Sequence, residues 1–127
     1  MSTVSVYDIA RQQWYEQVVT NDIPSALTQG CSVLESAQDG SSHNIYWHGG
    51  FNGYNAAETL SDDVWVLSIP SFTWTKLYPG TKTYGRAGHV CVKPYPDQMI
   101  VVGGYTSLAG TSLTCLPEFV RVFNLST

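Results

Sequence analysis

The chain has 127 residues, the length of one ordinary domain. It is 43% hydrophobic, 13% aromatic and only 13% charged, a globular composition rather than a disordered one. The formal net charge of −4 comes without any basic cluster, which argues against nucleic-acid binding.

Val4 to Tyr7 alternates and is rich in β-branched residues, the pattern of a strand. Asp8 to Gln12 turns the chain, and Gln13 to Val19 returns as a second strand carrying Trp14. Thr20 to Gln29 holds Asn-Asp and a proline and reads as a connecting loop. Gly30 to Glu35 is the next strand, Gln38-Asp39-Gly40-Ser41-Ser42 a hairpin turn, and His43 to His48 the returning strand, ending at Gly49-Gly50. Paired glycines there supply positive-φ freedom and allow close backbone approach. Phe51 to Asp62 is a long polar and aromatic loop. Val64 to Leu67 is a third strand, Pro70-Ser71 a turn, and Thr73 to Tyr78, with Trp74, a fourth. Pro79-Gly80 to Gly85 links onward. Gly88 to Lys93 and Gln98 to Val102 pair across Pro94-Tyr95-Pro96-Asp97. Gly103-Gly104 opens a second long loop, Tyr105 to Pro117, before a last strand, Phe119 to Leu125. No apolar spacing of 3.6 persists over ten residues, so the chain is expected to be all-β and antiparallel.

The elements repeat. Gly49-Gly50 recurs 54 residues on as Gly103-Gly104, Val64-Trp65-Val66-Leu67 recurs 56 on as Val120-Arg121-Val122-Phe123, and Val4-Ser5-Val6-Tyr7 precedes it by 60. Trp14 follows Val6 by eight residues, as Trp74 follows Val66. Gly30-Cys31-Ser32-Val33 matches Gly88-His89-Val90-Cys91 at an offset of 58. Offsets that drift by a few residues mean fixed strands joined by variable loops.

A strand ending in two glycines, an apolar strand, and a tryptophan at fixed spacing resemble kelch repeats, whose period is about 50 residues. Asp63 to Trp74 in particular looks like the repeats of fungal kelch proteins, many of them membrane-anchored. The resemblance covers nearly the whole chain. It implies four-stranded antiparallel blades of a partial β-propeller: a half blade over 4–19, a complete blade over 30–78, and a blade lacking its last strand over 88–126. It also makes Gly49, Gly50, Gly103, Gly104, Trp14, Trp74, Arg86 and His89 structural residues of the repeat, with the tryptophans filling space between sheets.

Propellers typically need four to eight blades. A blade face of on the order of 400 Å² of apolar surface is worth roughly 10 kcal/mol, comparable with the whole stability of a typical domain, about 5–15 kcal/mol. An open arc is therefore expected to find cover. Either it is part or a truncated product of a longer kelch protein, or copies associate through their open blade faces and close a ring.

No catalytic set is discernible. His43 and His48 are five apart on one strand and point to opposite faces, so they form no metal clamp within it. Glu58, Asp62 and Asp63 match no calcium loop, and neither glycine pair belongs to a phosphate loop. Kelch-like propellers include copper oxidases, but no tyrosine and histidine ligand set can be assigned here, so no metal or cofactor is expected. Three cysteines, Cys31, Cys91 and Cys115, are expected to be buried thiols, with a disulfide the alternative in an oxidising compartment. Met1 to Gln13 has no apolar run of a signal peptide, and no stretch approaches the roughly 18 apolar residues of a membrane span. Direct membrane insertion by this chain is thus not expected, although the resemblance implies a membrane-anchored or extracellular parent. The binding residues expected from the sequence lie in the loops after the glycine pairs: Phe51, Asn52, Tyr54, Asn55, Tyr105 and Thr106, aromatic and amide side chains suited to recognition. The function expected is that of a non-catalytic protein-interaction scaffold. The alternatives are part of a kelch-propeller enzyme of oxidase or specifier type, or a truncated product without a role of its own.

Overall fold

Period-two alternation of β-branched and aromatic residues, interrupted by turn-forming pairs, favours strands joined by tight turns. A computed structural model describes residues 3–55, 58–106 and 118–126. Twelve strands run through them: β1 (Thr3–Asp8), β2 (Gln13–Val18), β3 (Thr20–Asn21), β4 (Leu27–Thr28), β5 (Cys31–Ser36), β6 (His43–His48), β7 (Phe51–Asn52), β8 (Val64–Ile69), β9 (Thr73–Tyr78), β10 (Val90–Tyr95), β11 (Gln98–Val102) and β12 (Val120–Asn124). No helix occurs among the described residues.

The strands form a series of sheets. β1 and β2 make a two-stranded antiparallel hairpin, and β10-β11-β12 make a three-stranded antiparallel sheet. Between them in sequence lies a five-stranded sheet in the order β3-β9-β8-β6-β5. Its last four strands are antiparallel, while the two-residue β3 joins the outer edge of β9 in parallel. The described residues are all-β, with no closed barrel among them, the arrangement of a partial β-propeller.

Two differences from the sequence reading have simple causes. The connector at Thr20 to Gln29 contributes two short strands, β3 against β9 and β4 against β7, which satisfy backbone groups that a loop leaves to water. Pro94 lies inside β10 rather than in a turn. β10 is an edge strand, and its register with β11 shifts between Val92 and Tyr95, so the missing N–H of proline breaks no ladder.

The core sits between the last two sheets. Tyr46, Val64, Met99, Val101 and Leu125 are its buried members, with Val33, Val66, Leu77, Cys91 and Phe123 packed around them. Phe123 stacks on Tyr78 and on His48, with ring centres 5.8 and 5.1 Å apart. A disulfide between Cys31 on β5 and Cys91 on β10, with Cα atoms 5.5 Å apart, bonds the two sheets covalently. The expectation of free thiols at these two positions is thus corrected: equivalent strands of adjacent sheets bring the sulfurs together. Lys93 on β10 pairs with Glu35 on β5 along the same seam. The first hairpin is less well covered. An apolar cleft of about 230 Å³, lined by Val4, Leu27, Trp47 and Trp74, separates it from the five-stranded sheet.

The glycine pairs are close-approach points. Gly50 has φ +94°, and a Cβ there would lie 2.5 Å from the carbonyl oxygen of Thr28. Gly104 has φ +90°, and its Cβ would lie 2.7 Å from the carbonyl oxygen of Ala87. Both obstacles are backbone and cannot swing aside. Gly50→Ala should therefore cost more than the ~1 kcal/mol typical of an ill-placed alanine, roughly 2–4 kcal/mol. Urea unfolding followed by circular dichroism checks this, and a loss under 1 kcal/mol would show that the two backbones can separate at little cost.

Candidate functional site

The seam between the last two sheets is built from backbone first. Gly50 N–H donates to the Arg86 carbonyl at 2.8 Å, Arg86 N–H to Ser61 at 3.2 Å, and Ser61 N–H to Gly50 at 2.8 Å, closing a three-residue ring. Gly88 N–H donates to Gln29 at 2.8 Å. The Arg86 side chain, fully buried, reaches the other way. Nη2 donates to the Glu118 carbonyl at 2.7 Å, Nη1 to those of Phe119 and Gly103 at 3.2 and 3.3 Å, and Nε to that of Tyr84 at 3.4 Å. Among the described residues its hydrogen bonds go to peptide carbonyls, and the nearby Glu118 and Asp62 charges favour the guanidinium. Burial first, then repulsion from Arg121, draws its pKa below the usual arginine value.

Two imidazoles meet beside this arginine. His48 stands directly opposite Cys31 in the β5–β6 ladder, and His89 precedes Cys91 by two residues, so the two share a face. His48 Nδ1 lies 2.9 Å from His89 Nε2, the rings meet edge to face, and His89 Nε2 is also 3.1 Å from the His48 carbonyl oxygen. A carbonyl only accepts, so His89 Nε2 carries the proton and His48 Nδ1 is a lone pair. Gly49 makes room: a Cβ there would lie 2.6 Å from His89 Cε1. His43, at the other end of β6, contacts Ser36 instead, with Nδ1 2.7 Å from Oγ.

Burial, then the charges of His89 and Arg86, holds the His48 pKa down at about 3. Burial holds His89 at about 4, with its contact to the His48 carbonyl opposing. In the unfolded chain both protonate near 6.5. Between that value and about 4 the unfolded state binds more protons, so the pair's contribution to stability is full above pH 6.5 and is lost as pH falls. The urea midpoint of the disulfide-closed chain should drop through this window, and His89→Gln should flatten the drop. Equal slopes for the two proteins would contradict the burial of a neutral pair.

The loop after Gly50 is ordered by one carboxylate. Asn52 Nδ2 donates to Glu58 Oε2 at 3.1 Å, Asn55 Nδ2 to Glu58 Oε1 at 3.3 Å, and Tyr54 N–H to Asn52 Oδ1 at 2.9 Å. Tyr54 is 92% exposed at the tip, while Phe51 pairs with Thr28 in the β4–β7 ladder. Asn52 and Glu58 also line a polar cleft of about 350 Å³ with Asp63, Trp65, Lys76 and Lys82. Lys76 Nζ lies 4.8 Å above the Trp65 ring and 3.1 Å from Asp63 Oδ2. The acidic residues do not gather into a cation site. Asp62 accepts the Lys82 and Tyr84 amides at 2.8 and 3.3 Å, and Asp63 that of Gly80 at 2.7 Å, so both hold the 79–86 link while Glu58 faces Asn52.

Tyr105 bridges to Ala87, and its hydroxyl donates to Gln29 Oε1. Phe51 and Tyr105 are thus tied to neighbouring residues of one connector, Thr28 and Gln29. Thr106 is partly buried, and the remainder of the expected loop, with Cys115, lies outside the described residues. The Gly103 amide donates to Phe119 at 2.9 Å. Trp74 is half-buried, its carbonyl accepting from Asn21 Nδ2 at 3.0 Å. Trp14, expected between sheets, stacks on Tyr7 at 5.0 Å and is 69% exposed, because no sheet among the described residues covers that side of the hairpin. Sequence reasoning missed the His48–His89 pair. Counting outward from the Asp39-Gly40 turn sets Cys31 opposite His48, but only the docking of the two sheets brings His89 to them.

No family model matches the chain. It is 38% identical over 133 aligned residues to a kelch repeat-containing protein of Arthroderma benhamiae, an alignment that takes in 99% of this chain and 19% of the relative. The chain spans about a fifth of that protein's length. Its antiparallel blade, its glycine-ended strands and this likeness place the chain among the kelch-repeat proteins.

Proposed function

We propose that the chain is a non-catalytic protein-interaction scaffold that binds through the loops after its glycine pairs, with Phe51, Asn52, Tyr54, Asn55, Tyr105 and Thr106 as the contact residues. The observation that carries this reading is Tyr54, an aromatic held 92% exposed on a turn that Asn52 and Glu58 pin from below. A large side chain presented on a fixed turn loses little entropy on binding. The kelch likeness supports protein interaction in general, and the membrane-anchored or extracellular setting belongs to this proposal. The partner retained by the immobilised chain from a fungal extract should be lost at least tenfold with Tyr54→Ala, whose fold should be unchanged. Retention of the same partners by the variant would sink the loop reading.

A second surface supports self-association. Val90, Val92, Ile100, Val102, Val120 and Val122 lie in register across β10, β11 and β12 and share one face. Val90 and Val122 are 59% and 56% exposed. An uncovered face of aliphatic β-branched side chains, polar only at the Gln98–Asn124 end, is suited to receive another blade, from a second copy or from further chain. Light scattering on a sizing column should give a mass above the 14.0 kDa of one chain, and Val92→Lys with Val122→Lys should lower it. A wild-type mass of one chain would end this reading.

A further inference from the structure

Among the described residues, the His48–His89 pair leaves two buried polar atoms without partners, His48 Nε2 and His89 Nδ1. His48 is fully buried and His89 only 6% exposed. An orphaned buried donor or acceptor costs about 1–3 kcal/mol, so the pair is held at a cost while the other two ring nitrogens, His48 Nδ1 and His89 Nε2, face each other 2.9 Å apart. One donor atom from each of Cys31, His48 and His89 lies within 4.8 Å of the other two, and Cys91 is bonded to Cys31. Two imidazoles and the Cys31 sulfur therefore meet in the seam, with the Cys91 sulfur bonded to the last of them; Cys31 and His48 lie on the five-stranded sheet, Cys91 on β10 and His89 just before it.

We propose that this cluster is a reduction-gated metal site: opening the Cys31–Cys91 disulfide converts the seam into a two-cysteine, two-histidine site for a divalent zinc-like ion. With the disulfide closed, neither sulfur is a thiolate and the site is masked. An external dithiol opens it by exchange. The Cys31–Cys91 bond breaks, the reductant leaves as its own cyclic disulfide, and its two protons pass to the two cysteine thiols. Zn²⁺ then displaces those two thiol protons. His48 Nδ1 already offers a lone pair. His89 shifts its proton from Nε2 to Nδ1, so Nε2 also becomes a donor and no further proton is released.

The geometry suits this exchange. The ion takes the place of the proton between His48 Nδ1 and His89 Nε2, now 2.9 Å apart. Two nitrogens at ~2.05 Å from a tetrahedral zinc are about 3.3 Å apart, so the rings separate only slightly. The sulfurs need to move further, and breaking their bond is what frees them. Thiolate and imidazole donors in equal number select zinc over the oxygen-seeking cations.

The test uses the whole chain with Cys115→Ser, so that Cys31 and Cys91 are its only thiols. Cobalt(II) is titrated in as the spectroscopic probe, before and after reduction with a phosphine that is then removed. The reduced chain should take up one equivalent with intense tetrahedral ligand-field bands and thiolate-to-cobalt charge transfer, and zinc should displace it. The oxidised chain should show neither feature. His48→Gln and His89→Gln keep both thiols and should each weaken cobalt binding at least tenfold. Equal binding by the histidine variants would mean that thiolates alone hold the ion and would overturn the proposal, as would binding by the oxidised chain. Where reduction loosens the fold, zinc should restore the β-sheet circular dichroism signal, and failure to restore it counts against the site.

Discussion

Two backbones pass within hydrogen-bonding distance at Gly50 and Arg86, and the arc depends on that crossing. A Cβ on Gly49 would lie 2.8 Å from the Arg86 carbonyl oxygen, and one on Gly50 2.5 Å from that of Thr28, so side chains at this strand end would press the backbones apart. Arg86 acts in two directions: its carbonyl accepts from Gly50 after β6, and its guanidinium gathers the carbonyls of Gly103, after β11, and of Glu118 and Phe119, before β12. A lysine has one point of attachment where this fork has several. The pairing of a glycine-ended strand with an arginine in the following turn is thus a single joint, not two motifs that happen to be neighbours.

Around this joint the seam mixes kinds of bond. The aliphatic and aromatic cluster of Tyr46, Val64, Met99 and Val101 removes apolar surface from water. The disulfide closes a separation of 60 residues, worth roughly 4 kcal/mol in chain entropy. The buried histidines oppose both, since they are held neutral with part of their hydrogen-bonding capacity unused. The seam retains so costly a pair beside a covalent bond.

Much of the architecture was legible in the sequence. The hairpin at Asp39-Gly40, the strand His43 to His48 and the strand Thr73 to Tyr78 follow from turn chemistry and alternation, because both are local. The antiparallel sheets and the repeat itself follow from the recurring glycine pairs. What stayed hidden depends on contacts between sheets. Cys31 and Cys91 each look like one apolar position in a strand, and only docking of β5 on β10 makes them a bond. The histidine pair needs the same docking. The short strands β3 and β4 were hidden for a different reason: two residues have no periodicity to read. In the loops, the amide-rich composition after Gly50 was visible, but not that Glu58 would organise it.

The parallel pairing of Thr20 and Asn21 with Thr73 and Trp74 has a further effect. An exposed sheet edge is a template on which any extended chain can lengthen the sheet. Here the incoming connector occupies that template on β9 before another chain can, and its two-residue length offers little template in turn. β12 carries no such cap among the described residues. Lateral strand addition is thus blocked at the Thr73–Trp74 end of β9, where the connector folds back, and not at β12.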